Sequence, residues 1–224
     1  MARKIVELLN DGKLRCNWCN KSLLYQRYHD DEWGQPLHDE RRHFEFLLLE
    51  TMQAGLSWIT ILQRREGYRA AFANFDVGQV AQFSLGKVEE LMLNPAIIRN
   101  RFKINAAVNN AQKFIEIQQE VGSFDQYIWS FSDRQIINNQ WQELSQIPAT
   151  SELSDRVALD LKLRGFKFVG STTIYAHLQA IGVINDHLVD CWRKLIIFLQ
   201  IIVSRLKNSL DSLVSFLGRT ELFY

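Results

Sequence analysis

The segment LRGFKFVG, Leu163–Gly170, decides the fold that we predict for this chain. It separates two stretches with helical periodicity. Gly165 and Gly170 bound a tight turn, and the apolar residues between them can hold it closed. Such a turn, followed by a helix N-terminus, presents backbone N–H groups that suit a phosphate, and Arg164 and Lys167 add positive charge. An ordinary helical hairpin is the alternative on these residues alone.

Helical patterns also dominate the rest of the chain. Asp39 is a suitable N-cap for a buried helix over residues 40–53, and a long amphipathic helix is predicted over residues 102–119. Residues 132–150 are rich in Asn, Gln and Ser and predict a long loop. Alternating strand patterns are rare. We therefore predict an all-α fold of about eight to ten helices.

Composition and charge exclude several classes of protein. The chain has 224 residues and a net charge of +1, so contact with nucleic acid would depend on a local basic patch. Its longest apolar run, near residues 195–203, is too short to span a bilayer, and no membrane partner is expected. Three cysteines and an N-terminus without a secretory leader predict reduced thiols and a cytoplasmic location.

One group of residues has the chemistry of a metal site. His187 and Cys191 are four residues apart, and we predict that they share one face of a helix. Cys16 and His29 lie thirteen residues apart, and together the four would form a Cys2His2 zinc set that joins the two ends of the chain. Unrelated buried residues, or a Cys16-x-x-Cys19 pair, are the alternatives.

A second group has the chemistry of a pocket for a flat heterocycle. Glu50 lies within an apolar helix, where an unused carboxylate would be costly. Aromatic rings beside one carboxylate can stack on an electron-poor base and accept hydrogen bonds from its amino group. Core packing is the better explanation for any one aromatic ring, but it explains the whole group less well. The candidate rings are Trp18, Tyr25, Tyr28, Trp33 and Trp58.

Seven motifs, in order, resemble those of the DNA-3-methyladenine glycosylase I family, which belongs to the helix-hairpin-helix DNA glycosylases. The motifs are RCNW, YHDDEWG, QAGLSWITIL, RREGYRAAF, IIRNRFKI, LKLRGFKFVGSTTIYAHLQAIG and NDHLVDC. The resemblance runs from about Arg15 to Cys191 and implies the helix-hairpin-helix glycosylase fold. It also implies a structural zinc ion on Cys16, His29, His187 and Cys191, which favours Cys16 over Cys19.

The resemblance further implies a repair enzyme that flips N3-methyladenine out of alkylated double-stranded DNA and hydrolyses its N-glycosidic bond. Glu50, Tyr28 and Trp58 would recognise the base, with Trp18, Tyr25 and Trp33 walling the pocket. Gly55 and Leu56 would fill the gap in the duplex. The DNA contacts of the hairpin would be Arg164, Gly165, Lys167 and Gly170. Relatives with lyase activity carry a lysine just after the hairpin; here Ser171 follows Gly170, so we expect no lyase activity.

The chain departs from this family at both ends. We assign residues 1–14 to a leader, 15–191 to the glycosylase domain and 192–224 to a C-terminal tail. Apolar residues form a helical stripe along the tail: Leu195, Phe198, Leu199, Ile202, Leu206, Leu210, Leu213 and Leu217. Intramolecular packing is the favoured use of this stripe, ahead of self-association or a membrane surface, and we expect a monomer. A non-enzymatic DNA-binding module is the alternative function.

Overall fold

The structure is a computed structural model that describes residues 11–199 together with residues 202, 203 and 206. Its α-helices are α1 (Leu23–Asp31), α2 (Glu40–Gln53), α3 (Trp58–Leu62), α4 (Arg65–Ala71), α5 (Val77–Ala81), α6 (Leu85–Leu93), α7 (Arg101–Val121), α8 (Phe124–Ser130), α9 (Glu152–Leu163) and α10 (Ser171–Ala180). Residues 192–199 are also helical and are called the terminal helix here. The prediction of an all-α fold is confirmed.

Helix α2 lies at the centre of the core. The Asp39 side chain accepts a hydrogen bond from the backbone N–H of Arg42, which caps the helix as predicted. Residues 43–52 of α2 are all buried, and the helix packs against α3, α7, α8 and α10. Burial on every side fits its nearly continuous apolar sequence. Glu50 is therefore held inside the protein by the helix that carries it.

The predicted helical hairpin is present. Ser151 caps α9 in a reciprocal pair with Ser154, and α9 packs against α10 across the turn. Gly165 has φ +92°, a backbone conformation that glycine adopts without strain. Phe166 and Val169 are buried beneath the turn, whereas Lys167 and Phe168 are exposed. Two of the three apolar residues between Gly165 and Gly170 are therefore buried and hold the turn closed.

The segment predicted as one long loop contains more order than we expected. Strand β1 (Ile137–Asn138) pairs in parallel with β2 (Ile184–Asn185), with Ile137 opposite Ile184. The Asn185 side chain donates to the Asn138 side chain at 2.9 Å, and residues 144–146 form a 3-10 turn. Two-residue strands carry too little alternation to be detected in a sequence. The two strands thus connect residues 132–150 to residues 184–185, which precede the predicted metal ligands His187 and Cys191.

The described part of the tail leaves its apolar stripe uncovered. Ile197 is fully buried, but Leu195, Phe198, Leu199, Ile202 and Leu206 are exposed. Within these residues, the favoured intramolecular packing is not observed. Leu210, Leu213 and Leu217 of the predicted stripe, and residues 1–10 of the leader, lie outside the described residues. In the part of the chain that the structure describes, no helix combines the length and apolarity that crossing a bilayer requires.

Candidate active site and metal centre

Four side chains that could bind one metal ion meet in a buried cluster. They are Cys16, His29, His187 and Cys191, and their ligand atoms all lie within 4.8 Å of one another. Cys16 precedes a 3-10 turn, His29 lies on α1, and the other two follow β2. The cluster therefore joins the first described segment to the last, as the sequence predicted.

The distances within this cluster match a tetrahedral ion. His29 Nε2 lies 3.2 Å from His187 Nδ1, and Cys191 Sγ lies 3.4 Å from each of these atoms. Cys16 Sγ is 3.8 Å from His187 Nδ1. Zinc bonds of about 2.0–2.1 Å to nitrogen and 2.3 Å to sulfur give tetrahedral edges of roughly 3.3–3.8 Å. The geometry and the donor set thus fit a zinc-like cation.

Neighbouring groups orient both imidazoles toward the centre of the cluster. The Asp30 carboxylate lies 2.8 Å from His29 Nδ1, and Arg15 holds that carboxylate in turn at 2.7 Å. His187 Nε2 lies 3.1 Å from the carbonyl oxygen of Trp33. Each histidine can therefore donate its outer N–H and direct its other nitrogen at the ion.

The two thiols of the cluster also favour a cation. A hydrogen bond to the Cys191 sulfur and burial raise the pKa of the Cys16 thiol, and repulsion between two neighbouring thiolates raises it further. A metal ion removes this conflict by binding both sulfurs as thiolates. Cys19 is also buried but lies outside the cluster, with its Sγ on the carbonyl oxygen of Cys16 at 3.1 Å.

One prediction about this cluster was wrong. His187 and Cys191 do not lie on a helix; residues 186–191 form an irregular segment, and the terminal helix begins at residue 192. The cause is Asp186, whose buried carboxylate is anchored by four side-chain donors and fixes the chain in a non-helical path. These donors are Asn139, Trp141, Tyr175 and Gln179. The same bonds give Asp186 a structural role, whereas Asp190 is exposed.

Gly34 allows close packing against the metal cluster. It has φ +75°, and a Cβ added there would lie 2.9 Å from His187 Nε2. We predict that Gly34→Ala lowers both zinc content and Tm, because the new methyl group displaces a ligand. Gly12→Ala is the matched control, since Gly12 has φ +71° and a Cβ there would meet no atom of the described residues within 4 Å. Both changes add about 1–2 kcal/mol of backbone strain. Metal analysis and calorimetry that give equal results for the two variants would contradict the prediction.

The predicted rings and Glu50 line one cavity of about 250 Å³. Its lining residues are Trp18, Tyr25, Tyr28, Trp33, Glu50, Gln53, Trp58, Ile147, Ala176 and Gln179. Trp18 packs edge-on against Tyr25 and Trp33, with ring centroids 5.1 Å apart in each pair. The ring centroids of Tyr28 and Trp58, which also line the cavity, are 5.4 Å apart. The rings thus form a continuous aromatic lining.

The aromatic lining is in direct contact with the metal cluster. The Trp18 ring lies 5.4 Å from that of His29, and the Trp33 ring lies 4.6 Å from that of His187. A shift of either imidazole would therefore move a wall of the cavity. The cluster supports the pocket, and an ion bound by all four of its side chains would have no open ligand position toward the cavity.

Glu50 lies in this cavity as a buried carboxyl group with an unused oxygen. It is 3% exposed, and its Oε2 has no hydrogen-bond partner in the described residues. Burial raises the pKa of Glu50 to about 8, because water no longer stabilises the charged form. The Trp58 indole N–H is also buried, and it has no partner among the residues that the structure describes. Unpaired polar groups of this kind are expected where a ligand completes the bonding.

Sequence reasoning missed four residues of the cavity. Ala176 and Gln179 are three residues apart on α10, and this spacing could have placed both on one face. Gln53 follows Glu50 at the same spacing on α2. Ile147 lies in the segment predicted as a loop, where no periodicity identifies it. Its contact depends on the path of residues 132–150.

The candidate DNA contacts lie on two separate turns. Gly55, with φ +77°, and Leu56, 39% exposed, follow α2. At the other turn, Gly170 precedes α10, whose first turn has no side-chain cap. Arg164, predicted as a DNA contact, is paired through its guanidinium with Asp160 and Glu120 at 2.7 and 2.6 Å. Lys167 makes no ion pair within the described residues.

Comparison with known proteins agrees with this arrangement. A family model described as methyladenine glycosylase matches residues 18–194. The chain belongs to the methyladenine glycosylase family. It is 45% identical to DNA-3-methyladenine glycosylase 1 of Escherichia coli (strain K12) over 177 residues, which cover 79% of this chain and 95% of that protein. The resemblance stated from the motifs is confirmed.

Solved structures of methyladenine glycosylases share the fold. A crystal structure of 3-methyladenine DNA glycosylase I has a TM-score of 0.78 and 46% identity, covering 80% of this chain and 98% of that one. A second, of a variant in complex with 3-methyladenine, has the same TM-score and 38% identity, covering 80% and 97%. The family model ends at residue 194, so most of the terminal helix lies beyond the match.

Proposed function

We propose that this protein is a DNA repair glycosylase that excises 3-methyladenine from alkylated double-stranded DNA. The observation that supports this best is Glu50, buried and unpaired in a cavity with five aromatic rings. The rings would stack on the flipped base, and Glu50 would accept a hydrogen bond from its exocyclic amine. A non-enzymatic DNA-binding module would have no use for a costly buried carboxylate.

Methylation at N3 supplies much of the reactivity in this proposal. The methylated base is positively charged and leaves as a neutral molecule, so its glycosidic bond breaks with little help from an acid. The enzyme needs to extrude the nucleotide, hold the cationic base against aromatic faces and admit water to the sugar carbon. The positive charge of the bound base would also lower the pKa of Glu50, since an opposite charge nearby in a buried site favours the ionised carboxylate.

The metal in this proposal is a structural zinc ion bound by Cys16, His29, His187 and Cys191. Zinc bound by four protein ligands contributes folding free energy and leaves no position for a reactive water. A metal-dependent hydrolase is therefore a poor alternative. The zinc would hold α1 and its rings against the segment 186–191, which the contacts of Trp18 and Trp33 with the ligands support.

DNA would be bound through the two turns described above. Leu56, carried by the left-handed turn at Gly55, would fill the gap left by the flipped nucleotide. The backbone around Gly165 and Gly170 and the first turn of α10 would bind phosphate, with Lys167 adding charge. Arg164 would serve mainly to fix the hairpin, given its two ion pairs. We assign these functions to a domain that spans residues 15–191.

The proposal is tested by incubating the wild-type protein with methylated duplex DNA and separating the released bases by liquid chromatography. We expect free 3-methyladenine and intact, abasic strands, because no lysine follows Gly170 to form a Schiff base. Absence of free base under conditions where the protein binds the duplex would favour the non-enzymatic module. Strand cleavage without added alkali would contradict the monofunctional assignment.

A further inference from the structure

One face of α7 carries an exposed aromatic side chain and is not used by the proposed function. Phe102 is 79% exposed, and it shares a groove of about 500 Å³ with Phe168 of the hairpin, which is 41% exposed. Asn105, Ala106 and Asn109 of α7 and Lys167 complete the lining. Residues 102, 105, 106 and 109 follow the spacing of a single helical face. We call this surface the Phe102 face.

The first turn of α7 is fastened to the proposed gap-filling loop. The Lys103 ammonium, in the first turn, donates to the carbonyl oxygens of Met52 and Ala54 at 2.8 and 2.6 Å. These carbonyls lie at the C-terminal end of α2, and the chain continues from Ala54 into Gly55 and Leu56. Phe102 is therefore held next to that loop by its neighbour in the sequence.

Two turns further along α7, the same helix supports the hairpin. The Asn109 side chain donates to the carbonyl oxygen of Gly165 at 2.9 Å. Asn110 donates to the carbonyl oxygen of Lys167 and accepts from the backbone N–H of Lys167, at 2.9 and 2.8 Å. From residue 103 to residue 110 the helix rises by roughly 10 Å. That length corresponds to about three nucleotides of one DNA strand.

The Phe102 face thus lies between the two turns that the proposed function places on DNA. A strand in contact with both Leu56 and the hairpin would cross the face, and its phosphates would be near Lys167. Apolar and aromatic side chains suit the sugars and base edges of such a strand, and Asn105 and Asn109 can form hydrogen bonds at its margins. Continuity with the two turns and this positive charge favour DNA over a protein partner.

We propose that the Phe102 face is part of the DNA-binding surface, with Phe102 packed against the sugars and bases beside the flipped nucleotide. This inference rests on the proposed function, because it places the duplex by the two turns. It adds a contact residue that neither the pocket nor the hairpin contains. The contribution of Phe102 is to affinity for the duplex, not to recognition of the excised base.

The test is Phe102→Ala, measured by fluorescence anisotropy with a duplex that carries a tetrahydrofuran abasic-site analogue. Loss of an aromatic contact to nucleic acid should raise Kd about tenfold. Phe102→Tyr should stay within about threefold of wild type, because it keeps the ring. Phe198→Ala is the matched control: Phe198 is exposed too, but lies on the terminal helix. Binding of free 3-methyladenine, followed by tryptophan fluorescence, should be unchanged in all variants.

Several results would overturn the inference. Phe102→Ala binding the duplex as tightly as wild type would do so, as would an equal loss in Phe198→Ala. A change in molar mass of Phe102→Ala in sedimentation would identify the face as a protein interface instead. Failure of the proposed function would have a different signature: the wild type would release no 3-methyladenine, whatever residue stands at position 102.

Discussion

Glu50→Gln is expected to lower the rate of 3-methyladenine excision by about 100-fold. The reason is that a neutral amide replaces the carboxylate that would balance the cationic base, and charge-assisted hydrogen bonds are about twice as strong as neutral ones. Single-turnover release of base from methylated duplex DNA measures the effect. Glu90→Gln, an exposed glutamate on α6, is the control and should retain full activity. Excision by Glu50→Gln at the wild-type rate would remove Glu50 from the mechanism.

The same substitution is expected to stabilise the protein at pH 8. Burial raises the pKa of Glu50 from 4.5 to about 8, so the folded protein binds more protons than the unfolded chain within this range. The free energy of unfolding of the wild type therefore falls as pH rises from about 5 to 8, by up to roughly 4 kcal/mol. Glutamine does not titrate and avoids this loss. Urea titrations at pH 5 and pH 8 should show a gain for Glu50→Gln that grows with pH.

Cys191→Ser is expected to remove most of the bound metal and to lower the stability of the whole domain. A structural zinc ion contributes its binding free energy to folding, and a hydroxyl is a poor replacement for a thiolate ligand. We expect a loss of at least about 3 kcal/mol. For a domain of this size that corresponds to a fall in Tm of about 10 °C. Inductively coupled plasma mass spectrometry and calorimetry of the purified variant provide the two measurements.

Cys19→Ser is the matched control for the metal prediction. Cys19 is as buried as the ligands, but its sulfur lies outside the cluster. This variant should keep about one zinc ion per chain and lose less stability than Cys191→Ser. A wild-type protein purified without any metal, or a Cys19→Ser variant that loses it, would show that the ligand set is wrong.

Much of the fold and site was accessible from the sequence because the signals are local. Asp39 was predicted to cap a strongly patterned helix and does so, and Ser151 caps a second such helix in the same way. Cysteine and histidine side chains at ligand spacing, and a group of aromatic rings beside one carboxylate, indicated a site although core packing could explain each ring singly. The charge of Glu50 conflicted with its apolar surroundings, and that conflict identified the residue that the cavity encloses.

What the sequence could not provide depends on distant contacts. The path of residues 186–191 is set by donors to Asp186 that come from the segment after β1 and from α10, so the helical spacing of His187 and Cys191 was misleading. The ion pair of Arg164 with Glu120 was not predicted, because Glu120 lies on another helix, 44 residues earlier. Ile147 reaches the cavity through an irregular segment. None of these contacts leaves a periodic trace in the chain.

The segment that precedes Cys16 and the segment that follows Cys191 lie side by side. The backbone N–H of Trp192 donates to the carbonyl oxygen of Leu14 at 3.0 Å, so the chain enters and leaves the folded domain at one point. A domain with adjoining ends can be circularly permuted, or inserted into a surface loop of another protein, without stretching either connection. Such a permutant would have its new termini in an exposed loop and a short linker joining residues 14 and 192. It would test whether the metal is still required once a peptide bond holds the two ends together.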